Sequence, residues 1–201
     1  MNCGPIRSLF CHRLAALNDL RSKGFRNWVF DPGMLFGSCR PWWEPAGQRP
    51  AGHEGLDLCL YADASGTIRS LTTGMLVPAF SSGQVAAVIL DFLGQSIVLS
   101  PSPDLVIIQA HVQPLPFIEP GIRVEAGEPI AAIAGSGAGP AQLLPHVHIS
   151  LGRPVPGLDL TSLTWPDINQ GQGLELMDPL EFMDCDGQVL EGSPKMVLPP
   201  C

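Results

Sequence analysis

The sequence has little charge and almost no lysine, and it lacks any long apolar run. Only 15% of its 201 residues are charged. No stretch approaches the roughly 20 apolar residues that a membrane-crossing helix needs. The longest apolar runs, Val85–Leu90 and Leu105–Ile108, have the length of strands, so no transmembrane segment is expected. Met1–Leu20 has no uninterrupted apolar stretch of the kind found in a secretory leader, because Arg7, His12, Arg13, Asn18 and Asp19 break it up, and no signal peptide is expected. Cysteines stand at 3, 11, 39, 59, 185 and 201 with no C-x-x-C pair, which removes zinc-ribbon and thioredoxin-type sites. An even count permits three disulfides, but the scatter suits ordinary thiols equally well, and most are expected to be free.

What the chain does have is glycine (22) and proline (21), which shorten helices and favour strands joined by tight turns. A helical bundle is therefore not expected. With 45% hydrophobic residues there is enough apolar surface for one folded core, and wholesale disorder is excluded. The net charge is -8, and its sign is unevenly spread: residues 1–50 carry seven basic and three acidic groups, the remainder four and sixteen. An acidic main body is a poor partner for nucleic acid, whose binding draws on counterion release at a basic face. No nucleic-acid partner is expected.

Leu9, Phe10, Leu14, Leu17 and Leu20 recur near helical spacing and predict one short helix over Ser8–Lys23, stopped at Gly24. Phe25–Gly52 is aromatic and irregular, and is expected to pack as a loop beside the chemistry-bearing face and form one wall of its groove. From Gly55 to Gly152 the pattern alternates: Leu56, Leu58 and Leu60 with Asp57, Cys59 and Tyr61; Val147, Ile149 and Leu151 with His146, His148 and Ser150. Val85–Leu90 and Gln95–Leu99 flank a four-residue connection suited to a hairpin, and Leu105–Val112 and Glu128–Ala134 supply further strands. The fold class expected is mainly β, a twisted antiparallel sheet or partly open barrel-like sandwich with a short N-terminal helix. Leu174–Phe182 is a return segment, and from Asp184 the proline-bearing tail is expected to be irregular and loosely held.

Four of the five histidines fall in His53-Glu54-Gly55-Leu56-Asp57, in the strand bearing His111, and in His146-Val147-His148. Residues i and i+2 of a strand project from one face about 7 Å apart, so His146 and His148 can reach a shared centre. His111 is expected on a polar strand face with Gln109 and Gln113. Gly52 and Gly55 argue that His53 and Asp57 belong to a turn running into a strand, with Asp57 pointing to the same polar side. Zinc accepts imidazole nitrogen and carboxylate oxygen, and its catalytic sites use three protein ligands. Two histidines and one aspartate make such a set and leave two histidines for proton handling. Singly each element is weak, and together they point to one site.

H-x-x-x-D at His53–Asp57, the strand histidine His111, and H-x-H within Pro145-His146-Val147-His148-Ile149-Ser150 resemble the signatures of the zinc endopeptidases of the lysostaphin and LytM type, peptidase family M23. Leu35-Phe36-Gly37 with Arg49, Val77–Val85, Gly121–Ala131 and Met177-Asp178-Pro179-Leu180 resemble, in order, other segments of that family, so the likeness covers about residues 35–182. It implies a domain over 35–182, preceded by the helix and aromatic loop (1–34) and followed by a loosely ordered tail (183–201). It also implies Zn2+ held by His53, Asp57 and His148, with His111 and His146 as the catalytic pair. The activity implied is hydrolysis of peptide bonds in peptidoglycan stem peptides or cross-bridges, in the cell envelope or periplasm. Two departures stand out: Gln109-Ala110-His111 lacks the tyrosine often found before that histidine, and Gly135–Pro145 carries Ala-Gln-Leu-Leu where a tighter turn is usual. The alternative is a non-catalytic module of the same fold that regulates wall hydrolases, usually marked by lost ligands; none is lost here. A biotinyl or lipoyl carrier, suggested by Gly121–Ile133, fails because the only lysines, Lys23 and Lys195, lie outside the β-region.

Overall fold

The computed structural model describes residues 7–44, 46–135, 143–169 and 172–191. Among them the chain forms two short helices, α1 (Phe10–Leu17) and α2 (Trp165–Asn169), and thirteen strands. The strands are β1 (Phe25–Phe30), β2 (Leu56–Leu58), β3 (Leu60–Asp63), β4 (Ile68–Ser70), β5 (Leu76–Pro78), β6 (Gly83–Leu90), β7 (Gln95–Ser102), β8 (Leu105–Pro114), β9 (Arg123–Val124), β10 (Pro129–Ile133), β11 (Val147–Pro154), β12 (Leu174–Met177) and β13 (Gly187–Val189). No helix among the described residues is long and apolar enough to cross a membrane.

A large open sheet runs in the order β12-β11-β8-β7-β6-β9, with β2 added to β11 and β10 bridging β8 and β5; a smaller sheet runs β13-β1-β3-β4. The alternating run from Leu56 to Asp63 is thus two strands in two sheets. β2 pairs with β11, β3 pairs with β1, and the change of partner falls at Cys59, a buried free thiol. Ile107, Leu99, Ile149 and Leu151 face a common core with Phe10, Leu14, Trp28 and Phe30. Each such fully buried side chain contributes about 1.5–3 kcal/mol of hydrophobic stabilisation.

The other face of the large sheet is where the groove is expected, and it is partly covered. Leu163, Ile168 and Leu174 bury a second apolar cluster against Ala87, Val98, Val106, Ile108 and Ala110. The connection from β11 to β12 therefore packs over the strands beside the histidines.

α1 is shorter than the spacing suggested. Asn18 turns its amide back to the Leu14 carbonyl and out to that of Leu76, and Asp19 takes a left-handed backbone (φ 51°), so the helix stops well before Gly24. Phe25–Phe30, expected as loop, is strand β1, because it is paired between β3 and β13 and its second half (Trp28, Val29, Phe30) is buried throughout. The C-terminal segment is anchored as far as it is described. β13 pairs in parallel with β1, and Cys185 forms a disulfide with Cys11, Cα–Cα 5.4 Å. Of the four described cysteines two are bonded, and Cys39 and Cys59 are free. Cys3, Cys201 and the Ala141-Gln142 part of the divergent loop lie outside the described residues.

Candidate metal centre and groove

β2 lies antiparallel against the start of β11 with Asp57 opposite His148, and opposed side chains of neighbouring strands share a face. This puts a carboxylate beside an imidazole. The loop before β2 brings in His53, whose main chain is pinned by a Gly37 N–H to its carbonyl and its own N–H to Ser38 O. Gly55 is required between them: a Cβ there would collide with the Ile149 carbonyl and come within 2.7 Å of His148 Nε2.

His53 Nε2 is 3.2 Å from His148 Nδ1 and 3.4 Å from Asp57 Oδ1, and His148 Nδ1 is 2.9 Å from Asp57 Oδ1. A tetrahedral ion with bonds of about 2.0–2.1 Å has ligand-to-ligand edges of about 3.4 Å, so these three buried atoms fit a zinc-sized cation. His53, Asp57 and His148 form a possible metal site. Their outer atoms are fixed as well. His53 Nδ1 faces the Leu35 carbonyl at 3.2 Å, which can only accept, so the ring proton sits there and Nε2 presents its lone pair. His148 Nε2 lies 2.7 Å from Ser150 Oγ, a hydroxyl able to accept from it. The indole Nε1–H of Trp42 donates to Asp57 Oδ2 at 2.7 Å, and the Arg49 guanidinium stands 3.9 Å from that oxygen.

Burial alone would push the Asp57 carboxyl up, but His53, His146 and the hydrogen bond with His148 hold it well below the usual carboxylate range. Burial pushes His148 down, against the pull of Asp57. His146 is likewise pushed down by burial, to about 4. Both rings therefore favour the neutral form that a ligand or a base must have.

His146 and His111 stand beside this group. His146 donates from Nδ1 to Leu144 O at 2.8 Å, leaving Nε2 to face Asp57 Oδ1 at 3.8 Å. The His111 ring lies 4.8 Å from that of His146 and 4.7 Å from that of Phe92. A cleft of about 280 Å³ opens here, lined by these histidines with Trp43, Arg49, Phe92 and Leu143. The aromatic loop after β1 thus forms one wall, as its position before His53 suggested.

His111 does not sit on a polar face with Gln109. Gln109 points to the opposite side, fully buried, accepting from Phe80 N and donating to Pro78 O. The cause is a break in strand parity. β8 pairs with β11 up to Ala110 and with β10 from Val112, and His111, at the junction, has a left-handed backbone (φ 61°). That conformation lets Ala110 and His111 share the groove side while Val112 returns to the core. A β-period count cannot see such a junction. Nor does it reveal Asp91, which binds His111 at main chain and ring, and the aromatic composition of the segment before His53 does not single out Trp42, whose indole holds Asp57.

Against known structures, the fold has counterparts. The catalytic domain of the antimicrobial peptidase lysostaphin from Staphylococcus simulans is 19% identical, covering 81% of this chain and 95% of that one, with a TM-score of 0.50. The solution structure of lysostaphin is 18% identical over 96% of this chain and 62% of that one, with a TM-score of 0.52. The chain has the M23 peptidase fold. The catalytic domain of the prophage-encoded M23 protein EnpA from Enterococcus faecalis also matches, 24% identical over 58% of this chain and 79% of that one, with a TM-score of 0.41. No family model and no curated protein sequence matches the chain. At these identities the M23 likeness speaks for the fold, and the chemistry has to be argued from the residues.

Proposed function

We propose that the chain is a zinc-dependent endopeptidase acting on peptide bonds, with peptidoglycan stem peptides or cross-bridges as its substrate class. The observation that carries this is the convergence of His53 Nε2, Asp57 Oδ1 and His148 Nδ1 within 2.9–3.4 Å of one another, next to two histidines not needed as ligands. His53, Asp57 and His148 would hold the ion. When bound, zinc supplies Lewis-acid polarisation of the scissile carbonyl and lowers the pKa of water toward about 7.

The protein's own groups do the remaining work. His146, with Nδ1 tied to Leu144 O, takes the proton of the attacking water at Nε2 and returns it to the departing amine. Protonated at Nε2, His111 donates to the oxygen on which charge develops, a contribution worth about 2.7–4 kcal/mol in sites of this kind. Trp43 and Phe92 flank the cleft and hold the peptide across it, while the apolar cover contributed by the β11–β12 connection keeps water from the sheet behind the site.

The test is metal analysis combined with peptide cleavage. The purified protein is expected to hold one zinc per chain and to cut a peptidoglycan-derived peptide, and His148→Ala is expected to lose zinc and cleavage together. Stoichiometric zinc in His148→Ala would refute the ligand assignment. Full zinc in the wild type without cleavage of any wall peptide would turn the reading to a non-catalytic module.

A further inference from the structure

We propose that Asp91 positions His111, holding its ring by Nδ1 so that Nε2 is the nitrogen left free for the groove. The inference rests on the reading of His111 as a catalytic histidine. Asp91 opens the hairpin turn between β6 and β7, and its side chain is completely buried (0% exposed). Oδ2 accepts from the backbone N–H of His111 at 3.0 Å, and Oδ1 lies 3.2 Å from His111 Nδ1. One carboxylate thus grips the same residue by main chain and ring.

A buried carboxylate is tolerated only when donors meet both of its oxygens. Here Leu93 N and Gly94 N reach Oδ1 at 2.8 Å each, and Ser96 Oγ reaches Oδ2 at 2.7 Å. Burial pushes the Asp91 carboxyl up, but the hydrogen bonds, those with His111 foremost, bring it well below the usual range. It is therefore an acceptor and nothing else, and an acceptor facing Nδ1 keeps the ring proton there. The neutral ring then offers its lone pair at Nε2, and the cation donates from Nε2 while Nδ1 stays bound to Asp91.

Turn formation alone does not account for this arrangement. The turn uses the bonds to Leu93 and Gly94, both made by Oδ1. The bond from Oδ2 to the His111 N–H instead supports a residue whose left-handed backbone (φ 61°) is costly for anything but glycine. It is this junction that brings His111 onto the groove side. Of the rings around it, Phe92 at 4.7 Å and Trp165 at 6.4 Å carry no acceptor, and the nitrogens of His146 and His148, 4.8 and 5.7 Å away ring to ring, are turned to Leu144, Asp57 and Ser150.

The experiment uses the zinc-loaded full chain and reads the histidine ring nitrogens by 15N NMR alongside steady-state cleavage of a wall peptide. His111 is expected to carry its proton at Nδ1 in the wild type. In Asp91→Asn it should become a mixture of tautomers, with kcat lowered about 10²-fold or more and with KM and zinc content unchanged. A wild-type His111 that carries its proton at Nε2 and none at Nδ1 overturns the proposal without any variant, which covers the case in which Asp91→Asn fails to fold. So does a folded Asp91→Asn protein with wild-type kcat and an unchanged ring signature. If the wild type cleaves nothing, the peptidase assignment fails on its own, and the ring tautomer and its response to Asp91→Asn still decide the arrangement.

Discussion

Replacing Trp42 by Phe tests whether the proposed zinc site depends on residues that would not touch the ion. The indole Nε1–H donates to Asp57 Oδ2 at 2.7 Å, while Asp57 Oδ1 is the oxygen that faces both histidines. Phe keeps an apolar ring against His146 and Trp43, each 5.5 Å from the indole, and removes only the donor. A hydrogen bond to a charged group contributes about 1.5–3 kcal/mol, equivalent to about 10- to 100-fold in an equilibrium constant. The metal-free protein can recover part of this by turning the carboxylate toward Arg49, 3.9 Å away, whereas a metal-bound carboxylate cannot turn. What is lost from affinity is the difference, so zinc binding in Trp42→Phe should weaken by about 10-fold, the low end of the range for outer-shell partners. Competition with a chelator of known affinity measures it, and circular dichroism checks the fold. A folded Trp42→Phe protein whose zinc affinity stays within about threefold of wild type would refute the reasoning, since that is well below one outer-shell hydrogen bond.

Replacing His111 or His146 by Ala should leave zinc content and folding near wild type and lower peptide cleavage by about 10²-fold or more; full cleavage in either variant would demote that histidine to a structural role. Zinc binding should weaken on acidification, because histidine ligands must be neutral. With burial pushing His148 down, that ligand stays neutral below the ordinary histidine value of about 6.5. Its competition with protons should therefore begin only at lower pH, as a titration of bound zinc against pH would record. Removing the Cys11–Cys185 bridge by a double Cys→Ser change should lower stability to denaturant. The closed loop spans a sequence separation of 174, for which chain entropy sets a ceiling of about 5 kcal/mol, and an unchanged midpoint would show that the tie does not constrain the unfolded chain.

Much of the site was legible because its chemistry is carried by a scarce residue type at strand spacing. With five histidines in 201 residues, H-x-H in an alternating run can be seen without a structure, and β11 bears it out: Val147, Ile149 and Leu151 are in the core, while His148 and Ser150 lie on the opposite side. The hairpin of β6 and β7 and the return strand β12 were legible for the same reason, since alternation and turn residues are local signals. Trp42 and Asp91 were not legible, because each has a sufficient ordinary explanation. A tryptophan in an aromatic loop is accounted for by burial, and an aspartate opening a hairpin is accounted for by the bonds it makes to its own turn. Their second bonds, to Asp57 and His111, span 15 and 20 residues and exist only once strand register is set.

The same limit explains why alternation misplaced Gln109 and His111 relative to each other. Period-2 reasoning assumes one partner along the whole strand, and β8 changes partner from β11 to β10 at His111. A single left-handed residue there shifts the parity, so Gln109 ties the β5 segment at Pro78 and Phe80 from beneath the sheet while His111 faces the His146 and His148 rings from above. Straightening the junction would send His111 to the side of Gln109, away from His146. The backbone that the strand pattern could not anticipate is therefore what brings the fifth component to the site, and the hydrogen bonds of Asp91 are what hold it there.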